Sequence, residues 1–189
     1  HTCSHVMAQA VKRLWPEVKL AIGPAIDEGW YYDIFAPFAF TPEHMEKIEA
    51  EMRKICKEKL KLERFELPRA EALELMHDEP FKIELINELP EDAVISFYKQ
   101  GEFTDLCAGP HLDSTGRIKG NAMKLLTCNA SYWRGDSSRE TLQRIYGIAF
   151  PKKEELDAYL QRIEEAKKRD HRKLGKELGL FTFMEEGPG

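Results

Sequence analysis

The sequence has no long run of apolar residues and few cysteines. None of its hydrophobic runs reaches the roughly 18–20 residues that a membrane-spanning helix needs, and no signal-peptide pattern is present. The four cysteines, Cys3, Cys56, Cys107 and Cys128, are widely spaced and form no CxxC pair. This spacing argues against a small disulfide scaffold and indicates reduced thiols, so we expect a cytoplasmic protein without a membrane anchor.

An excess of positive charge is also absent. The 189 residues carry a formal net charge of −5, so the molecule as a whole lacks the basic character typical of nucleic-acid-binding proteins. Locally, half of the residues in 165–176 are Lys or Arg. A looser basic set comprises Lys119, Lys124, Arg134, Arg139 and Arg144. Such sets can bind phosphate, but considered alone they more often form a solvated surface of mixed charge.

The predicted helices and strands alternate without a regular βαβ rhythm. Hydrophobic content of 42% with 32% charged residues is typical of a globular protein, and the length allows one large or two small domains. We therefore expect an α+β fold with a mainly antiparallel sheet, followed by a long C-terminal helix from Pro151 to about Leu178. The other predicted elements are helices at 2–15, 41–60 and 69–77, a hairpin of 19–26 with 30–35, a strand at 62–67 and short strands between 94 and 149.

Two histidines one helical turn apart open the chain. The first predicted helix is amphipathic and ends at Pro16. At about 100° per residue, its apolar side chains share one face, and His1 and His5 lie almost opposite that face. We therefore expect both histidines to face solvent or a cleft instead of the core.

A second pair, Cys107 and His111, lies in the segment DLCAGPH. Gly109 and Pro110 prevent a helix there, so the two side chains can meet only across a turn. Together with the two histidines they suit a tetrahedral site, with Asp105 hydrogen bonded behind it. Three chemistries remain open: a zinc-activated water, a water held by polar side chains without a metal, or a Cys107 nucleophile paired with a histidine.

Several longer segments resemble one family. HTCSH, LAIGPAIDEGWYYD, FKIELI, DLCAGPH and YWRGD…LQRIYG are similar to the editing domain of bacterial-type threonyl-tRNA synthetases. KKRDHRKLGKELGLF resembles the linker into the catalytic core of that family, and FMEEGPG resembles the first residues of the core. The resemblance implies an editing domain at 1–150, a linker helix at 151–178 and the start of a class II catalytic core at 179–189.

The activity implied by the resemblance is hydrolysis of serine wrongly esterified to tRNA(Thr). Serine lacks one methyl group of threonine, and a pocket gains only about 1–3 kcal/mol of binding free energy from that methyl. Selection by binding alone therefore still accepts some serine. The family's site residues correspond to His1, His5, Cys107, His111, Lys82, Asp105 and Tyr32. His1 is expected to activate or orient the water, and Lys82 to stabilise charge on the intermediate. The other histidines and Cys107 would shape the pocket and hold the terminal adenosine, and Tyr32 would lie near the tRNA end.

The resemblance also carries expectations about cofactors and partners. Editing would require no cofactor; if a metal did bind, His1, His5, Cys107 and His111 would be its ligands. ATP and zinc are expected only in the catalytic core, through which the full-length protein would form a homodimer. The expected partner is the acceptor end of tRNA(Thr) carrying serine. Two alternatives are a zinc-dependent deacylase of the alanyl type and a non-catalytic tRNA-binding module.

Overall fold

The computed structural model describes residues 2–27, 29–107 and 109–186, with side chains described as far as residue 170. This part of the chain folds into two antiparallel sheets and five α-helices, which confirms the predicted α+β class. The helices are α1 (Thr2–Leu14), α2 (Pro42–Glu58), α3 (Arg69–Leu75), α4 (Pro80–Glu88) and α5 (Lys153–Glu186). The strands are β1 (Lys19–Leu20), β2 (Ala25–Ile26), β3 (Gly29–Phe35), β4 (Leu62–Glu66), β5 (Ser96–Gln100), β6 (Phe103–Leu106), β7 (Met123–Tyr132) and β8 (Thr141–Ala149).

The larger sheet has the strand order β1-β3-β8-β7, with β2 also paired to β3. Its long strands are rich in aromatic and branched residues, which favour the pleated, half-buried surface of a sheet. The predicted hairpin is present, but residues 21–24 separate β1 from β2, so the first arm is two short strands. In the region where short strands were predicted, residues 123–132 form one ten-residue strand, β7, followed by a 3-10 turn at Trp133–Gly135.

The smaller sheet has the strand order β4-β5-β6, so β5 lies between β4 and β6, the strand that contains Asp105. In its register Tyr98 pairs with Asp105, and Phe97 pairs with Leu106. Helix α4 was not predicted from the sequence, although Pro80 at its first turn is a common start signal.

Helix α2 begins where the sequence predicts. The Thr41 side chain accepts a hydrogen bond from the backbone N–H of His44, and the His44 side chain accepts one from the backbone N–H of Thr41. This reciprocal pairing satisfies two otherwise open donors and fixes the first turn. Helix α2 and strand β3 both pack against α1, which therefore lies inside the molecule.

Helix α5 begins at Lys153 and continues to Glu186, beyond the expected end near Leu178. Leu156 in its first turns is buried, whereas Ala166 further along is exposed. Among the described residues, no helix combines the length and the apolar composition needed to cross a bilayer.

Candidate active site

Helix α1 carries His5 into the interior. The His5 side chain is only 4% exposed, so the expected exposure to solvent is wrong, and the ring lies against the other side chains of the site. The reason is that α1 is covered on more than its apolar side: the ring of Phe103 on β6 meets the His5 ring edge-on, with centroids 6.3 Å apart. His1, one turn earlier, lies outside the described residues.

Three elements bring a charged cluster against His5. Lys82 of α4 places its Nζ 2.9 Å from Oδ1 of Asp105 on β6, and the two residues are 3% and 2% exposed. The hydroxyl of Tyr32 on β3 donates to Asp105 Oδ2 at 2.6 Å and accepts from Lys82 Nζ at 2.9 Å. Nε2 of His5 lies 3.4 Å from the same Oδ2 atom. A buried charge pair satisfied in this way is costly to assemble, and such pairs recur at functional sites.

The cluster holds its groups in defined charge states. Burial alone would raise the pKa of Asp105, but the Lys82 ammonium and the hydrogen bond from Tyr32 lower it below its ordinary value. Burial, with the neighbouring Asp105 carboxylate, raises the pKa of Tyr32 well above its ordinary value. At neutral pH Asp105 is therefore a carboxylate, and Tyr32 is a neutral hydroxyl able to donate and accept.

Cys107 and His111 meet across the predicted turn. Nε2 of His111 lies 3.2 Å from Sγ of Cys107, and the backbone N–H of Gly109 donates to that sulfur at 3.3 Å. Gly109 has a φ of +80°, and a Cβ at this position would lie 2.2 Å from the hydroxyl oxygen of Tyr98. Glycine is required here because a side chain would be strained and would also collide with Tyr98.

Two rings, those of Tyr98 and His5, pack closely against His111. The ring centroid of Tyr98 is 4.2 Å from that of His111, and the His5 centroid is 4.3 Å from it. The hydroxyl oxygen of Thr2 lies 3.1 Å from Nδ1 of His111, and it accepts a hydrogen bond from the backbone N–H of Leu112 at 3.0 Å. Thr2 and Tyr98 were missed as site residues. Thr2 lies inside the HTCSH segment, whereas the position of Tyr98 depends on strand register.

The two site histidines that the structure describes, His5 and His111, are held neutral. Burial lowers the pKa of His5 to about 4, although the nearby Asp105 carboxylate opposes this effect. Burial and the neighbouring His5 lower the pKa of His111 to about 3. Burial raises the pKa of Cys107, so its side chain is a thiol at neutral pH. The site therefore offers imidazole acceptors and one ammonium donor, and it lacks an activated thiolate among its described groups.

The depressed pKa of His5 makes stability depend on pH. In the unfolded chain the imidazole protonates near pH 6.5, whereas in the folded chain it stays neutral down to about pH 4. Between these pH values only the unfolded chain binds a proton at His5. Protonation of His5 therefore lowers the free energy of unfolding as pH falls, by up to about 1.4 kcal/mol per pH unit. Urea unfolding between pH 7.5 and 4.5 measures this slope. The variant His5→Gln removes one titrating group and should show a shallower slope; equal slopes would contradict the burial of a neutral His5.

The structure brings together His5, Lys82, Asp105, Cys107, His111 and Tyr32, all the predicted site residues that it describes. Tyr32 differs from its expected position near the tRNA end. It is fully buried, and its hydroxyl contacts Lys82 and Asp105, so in this structure it orders the charged pair and presents no surface to a ligand. Cys3 is partly buried and packs against the main hydrophobic core.

Four of the five scattered basic residues form ion pairs with acidic side chains. This arrangement is the surface of mixed charge that the sequence pattern alone predicted for these residues. Neutralised pairs of this kind attract phosphate weakly. The pairs are Lys124 with Glu49, Arg134 with Glu88, Arg139 with Glu84 and Arg144 with Asp33.

Three described side chains are close enough together to be considered as metal ligands. One donor atom from each of His5, Cys107 and His111 lies within 4.8 Å of the other two. In the structure the Cys107 sulfur contacts the His111 imidazole directly at 3.2 Å. Zinc would displace the thiol proton and could use the same three donors, and the fourth candidate ligand, His1, lies outside the described residues.

Comparison with known proteins connects this geometry to a family. Residues 95–146, which include Asp105, Cys107 and His111, match the family described as "Threonyl and Alanyl tRNA synthetase second additional domain". Over its whole length the chain is 68% identical to the threonine–tRNA ligase of Clostridium tetani (strain Massachusetts / E88). It is 69% identical to that of Clostridium botulinum (strain Hall), and it spans about 30% of the length of each relative. Along its whole length the chain is therefore similar to one segment of the threonine–tRNA ligases, and part of it matches the second additional domain of threonyl- and alanyl-tRNA synthetases.

Proposed function

We propose that this chain hydrolyses the ester of serine wrongly attached to tRNA(Thr). The observation that carries the proposal is the buried Lys82–Asp105 pair, bridged by the Tyr32 hydroxyl and bordered by His5, in a chain similar to the threonine–tRNA ligases. A binding module would have no need of a buried ammonium beside neutral imidazoles. An ester hydrolase needs both, since one group stabilises negative charge and the other accepts a proton.

In the proposed reaction a water oxygen attacks the ester carbonyl carbon. Negative charge then develops on the carbonyl oxygen, and the Lys82 ammonium is the described cation placed to stabilise it. Asp105 and Tyr32 hold that ammonium in place through hydrogen bonds. Collapse of the intermediate breaks the bond to the ribose oxygen, which takes up the proton lost by the attacking water, and releases serine and the tRNA.

Neutral imidazoles orient the water. With Nε2 of His5 directed at the Asp105 carboxylate, Nδ1 is left as an acceptor, and this buried atom has no hydrogen-bond partner among the described residues. A pKa near 4 makes His5 a weak base, so its proposed role is to orient the water more than to remove its proton. His1, four positions before His5 in the sequence, remains the proposed water-activating residue.

Access to the cluster lies on the side of the Cys107–His111 turn. Cys107 and His111 are partly exposed, whereas Lys82, Asp105 and Tyr32 are almost completely buried. A substrate carbonyl therefore reaches Lys82 by passing the thiol and the His111 ring, which would line the pocket and contact the terminal nucleoside. A narrow pocket formed beside this buried lysine would accept serine and exclude the added methyl group of threonine.

The proposal is tested by adding the chain, at high concentration, to seryl-tRNA(Thr) and to threonyl-tRNA(Thr). We expect release of serine to be accelerated and threonine to be retained. A chain that bound tRNA(Thr) without accelerating serine release would be a tRNA-binding module, and the proposed function would be wrong. Because phosphate contacts release counterions, tRNA affinity should also fall steeply as salt rises.

We further propose that the reaction proceeds without a metal and that Cys107 is not a nucleophile. A Cys107→Ser variant retains an oxygen that can accept from Gly109 and contact His111, so we expect hydrolysis to fall by no more than about tenfold, the value of one weakened hydrogen bond. Hydrolysis rates before and after chelator treatment, with metal content by mass spectrometry, complete the test. Stoichiometric zinc that is lost together with activity on chelation would favour an alanyl-type metal deacylase. Complete loss of activity in a metal-free Cys107→Ser variant would favour a thiol nucleophile.

We also propose how the chain is organised within a longer protein. Residues 1–150 would form the editing domain, 151–178 the linker helix and 179–189 the start of the catalytic core. Side chains at the beginning of the basic stretch, from Glu165 to Asp170, are exposed on α5, where tRNA phosphates could reach them. Binding of ATP and zinc, ligation of threonine and homodimer formation are assigned to that core.

A further inference from the structure

The helix that carries Lys82 is too short to hold its own position. Helix α4 has nine residues, Pro80–Glu88, and isolated helices shorter than about 12–15 residues are marginal in water. Its orientation must therefore be set by tertiary contacts. Since Lys82 is the described cation of the site, those contacts also decide where the ammonium lies.

One set of these contacts comes from the connection between β7 and β8. Trp133, in the YWRGD segment, is 2% exposed, and its indole Nε1 donates to Glu84 Oε2 at 2.6 Å. The ring of Trp133 also meets that of Phe81 edge-on, with centroids 5.0 Å apart. Phe81 directly precedes Lys82, and Glu84 follows one turn after Phe81 on the same helix face. A single indole thus contacts α4 at two points that flank the lysine.

Ion pairs reinforce the same connection. Arg139 binds Glu84 at 2.5 Å, and Arg134 binds Glu88 at the end of α4. Arg134 has a φ of +59°, a left-handed conformation that is uncommon outside glycine, and its guanidinium lies 5.1 Å from the Trp133 ring centroid. Backbone strain of this kind persists only where the surroundings enforce it. The Glu84 and Glu88 carboxylates are partly exposed, so the contact between the Trp133 and Phe81 rings, which are 2% and 3% exposed, provides the buried part of the attachment.

We propose that Trp133 is a positioning residue for Lys82, acting through Glu84 and Phe81 on the orientation of α4. The inference rests on the proposed hydrolysis. Phe81 and Lys82 project about 100° apart around the helix, so rotation of α4 that follows loss of the Trp133 contacts moves the ammonium sideways in its pocket. A displacement of about 1 Å at a reacting centre can lower a rate by as much as about 100-fold.

The test replaces Trp133 by phenylalanine and compares it with Trp30→Phe. Trp30 is also 2% exposed, lies on β3, and has an Nε1 with no hydrogen-bond partner among the described residues. We expect Trp133→Phe to lower kcat for seryl-tRNA(Thr) hydrolysis by about tenfold or more, with KM almost unchanged, and Trp30→Phe to leave kcat close to wild type. Glu84→Gln removes the charge of the acceptor while keeping its shape, so it should lower kcat in the same direction even if Trp133→Phe folds poorly.

A second comparison separates positioning from general destabilisation. In a Lys82→Met background, Trp133→Phe should cause no further loss of activity, because the group through which it acts is absent. An unchanged kcat for both Trp133→Phe and Glu84→Gln, or an equal loss in the Lys82→Met background, would overturn the inference.

Labelling with an amine-reactive reagent, read by mass spectrometry, gives a readout that does not need activity. Trp133→Phe should increase labelling of Lys82, and Trp30→Phe should not. If the wild-type chain hydrolysed no seryl-tRNA(Thr), the proposed function would fail, and labelling would still decide whether Trp133 positions Lys82. Unchanged labelling would then overturn the inference as well.

Discussion

Replacing Lys82 by methionine is expected to lower the free energy of unfolding by about 3–5 kcal/mol, the usual cost of leaving one partner of a buried ion pair without its counter-charge. Asp105 would remain almost fully buried, and the groups around its carboxylate, the Tyr32 hydroxyl, the Leu106 backbone N–H and a neutral His5, carry no positive charge. We also expect hydrolysis of seryl-tRNA(Thr) to fall by at least about 100-fold, because the cation placed at the developing oxyanion is removed. Urea unfolding and single-turnover hydrolysis measure the two effects.

The double variant Lys82→Met/Asp105→Asn separates the stability effect from the chemical one. It removes both charges, so much of the lost stability should return, whereas hydrolysis should stay low. If activity returned together with stability, Lys82 would be a structural residue. If Lys82→Met alone were as stable as wild type, the account of a buried charged cluster would be wrong.

Replacing Gly23 by alanine is expected to damage the site through Tyr32. A Cβ at position 23 would lie 2.1 Å from Cδ2 of the Tyr32 ring, and Tyr32 is fully buried. The backbone before Gly23 cannot easily move away, because two hydrogen bonds tie it to Asp33. The Ile22 carbonyl accepts one from the Asp33 N–H at 2.8 Å, and the Ala21 N–H donates the other to the Asp33 carbonyl at 2.9 Å. Overpacking of this kind costs about 1–3 kcal/mol. The shifted hydroxyl would also loosen Lys82 and Asp105, so hydrolysis should fall by about tenfold or more.

Gly120→Ala is the matched control for this substitution. Its Cβ would first meet the Cγ of Arg53 at 3.0 Å, and that side chain is flexible and 44% exposed. We expect it to change stability and hydrolysis little. Wild-type hydrolysis and stability in Gly23→Ala would show that the Tyr32 ring tolerates displacement and that its hydroxyl does not position the charged pair.

Local patterns predicted those parts of the site that depend on a few neighbouring residues. Gly109 and Pro110 exclude a helix, and Cys107 and His111 do meet across a turn. The first helix has its predicted bounds within one residue, and Thr41 caps α2 as expected. In these cases the relevant physical constraint lies within about four residues of the chain.

Features set by distant parts of the chain could not be predicted in this way. Helical phase placed His5 off the apolar face of α1, but β6, about a hundred residues later, covers that side and buries the imidazole. The ion pair of Lys82 with Asp105 joins a helix to a strand, and no local pattern indicates the pairing. Tyr98 lies beside His111 only because of the register of β5 with β6. The family resemblance identified Lys82 and Asp105 as candidate residues, and the structure shows the contacts between them.

The central claim is that a seryl ester is hydrolysed beside Lys82. The most direct measurement is a crystal structure of the chain with a seryl-adenosine analogue in which an amide replaces the ester. We expect the amide carbonyl oxygen within about 3 Å of Lys82 Nζ, and a water on the imidazole side of the carbonyl carbon. An analogue bound elsewhere on the chain, with Lys82 still enclosed by Asp105 and Tyr32, would contradict the account.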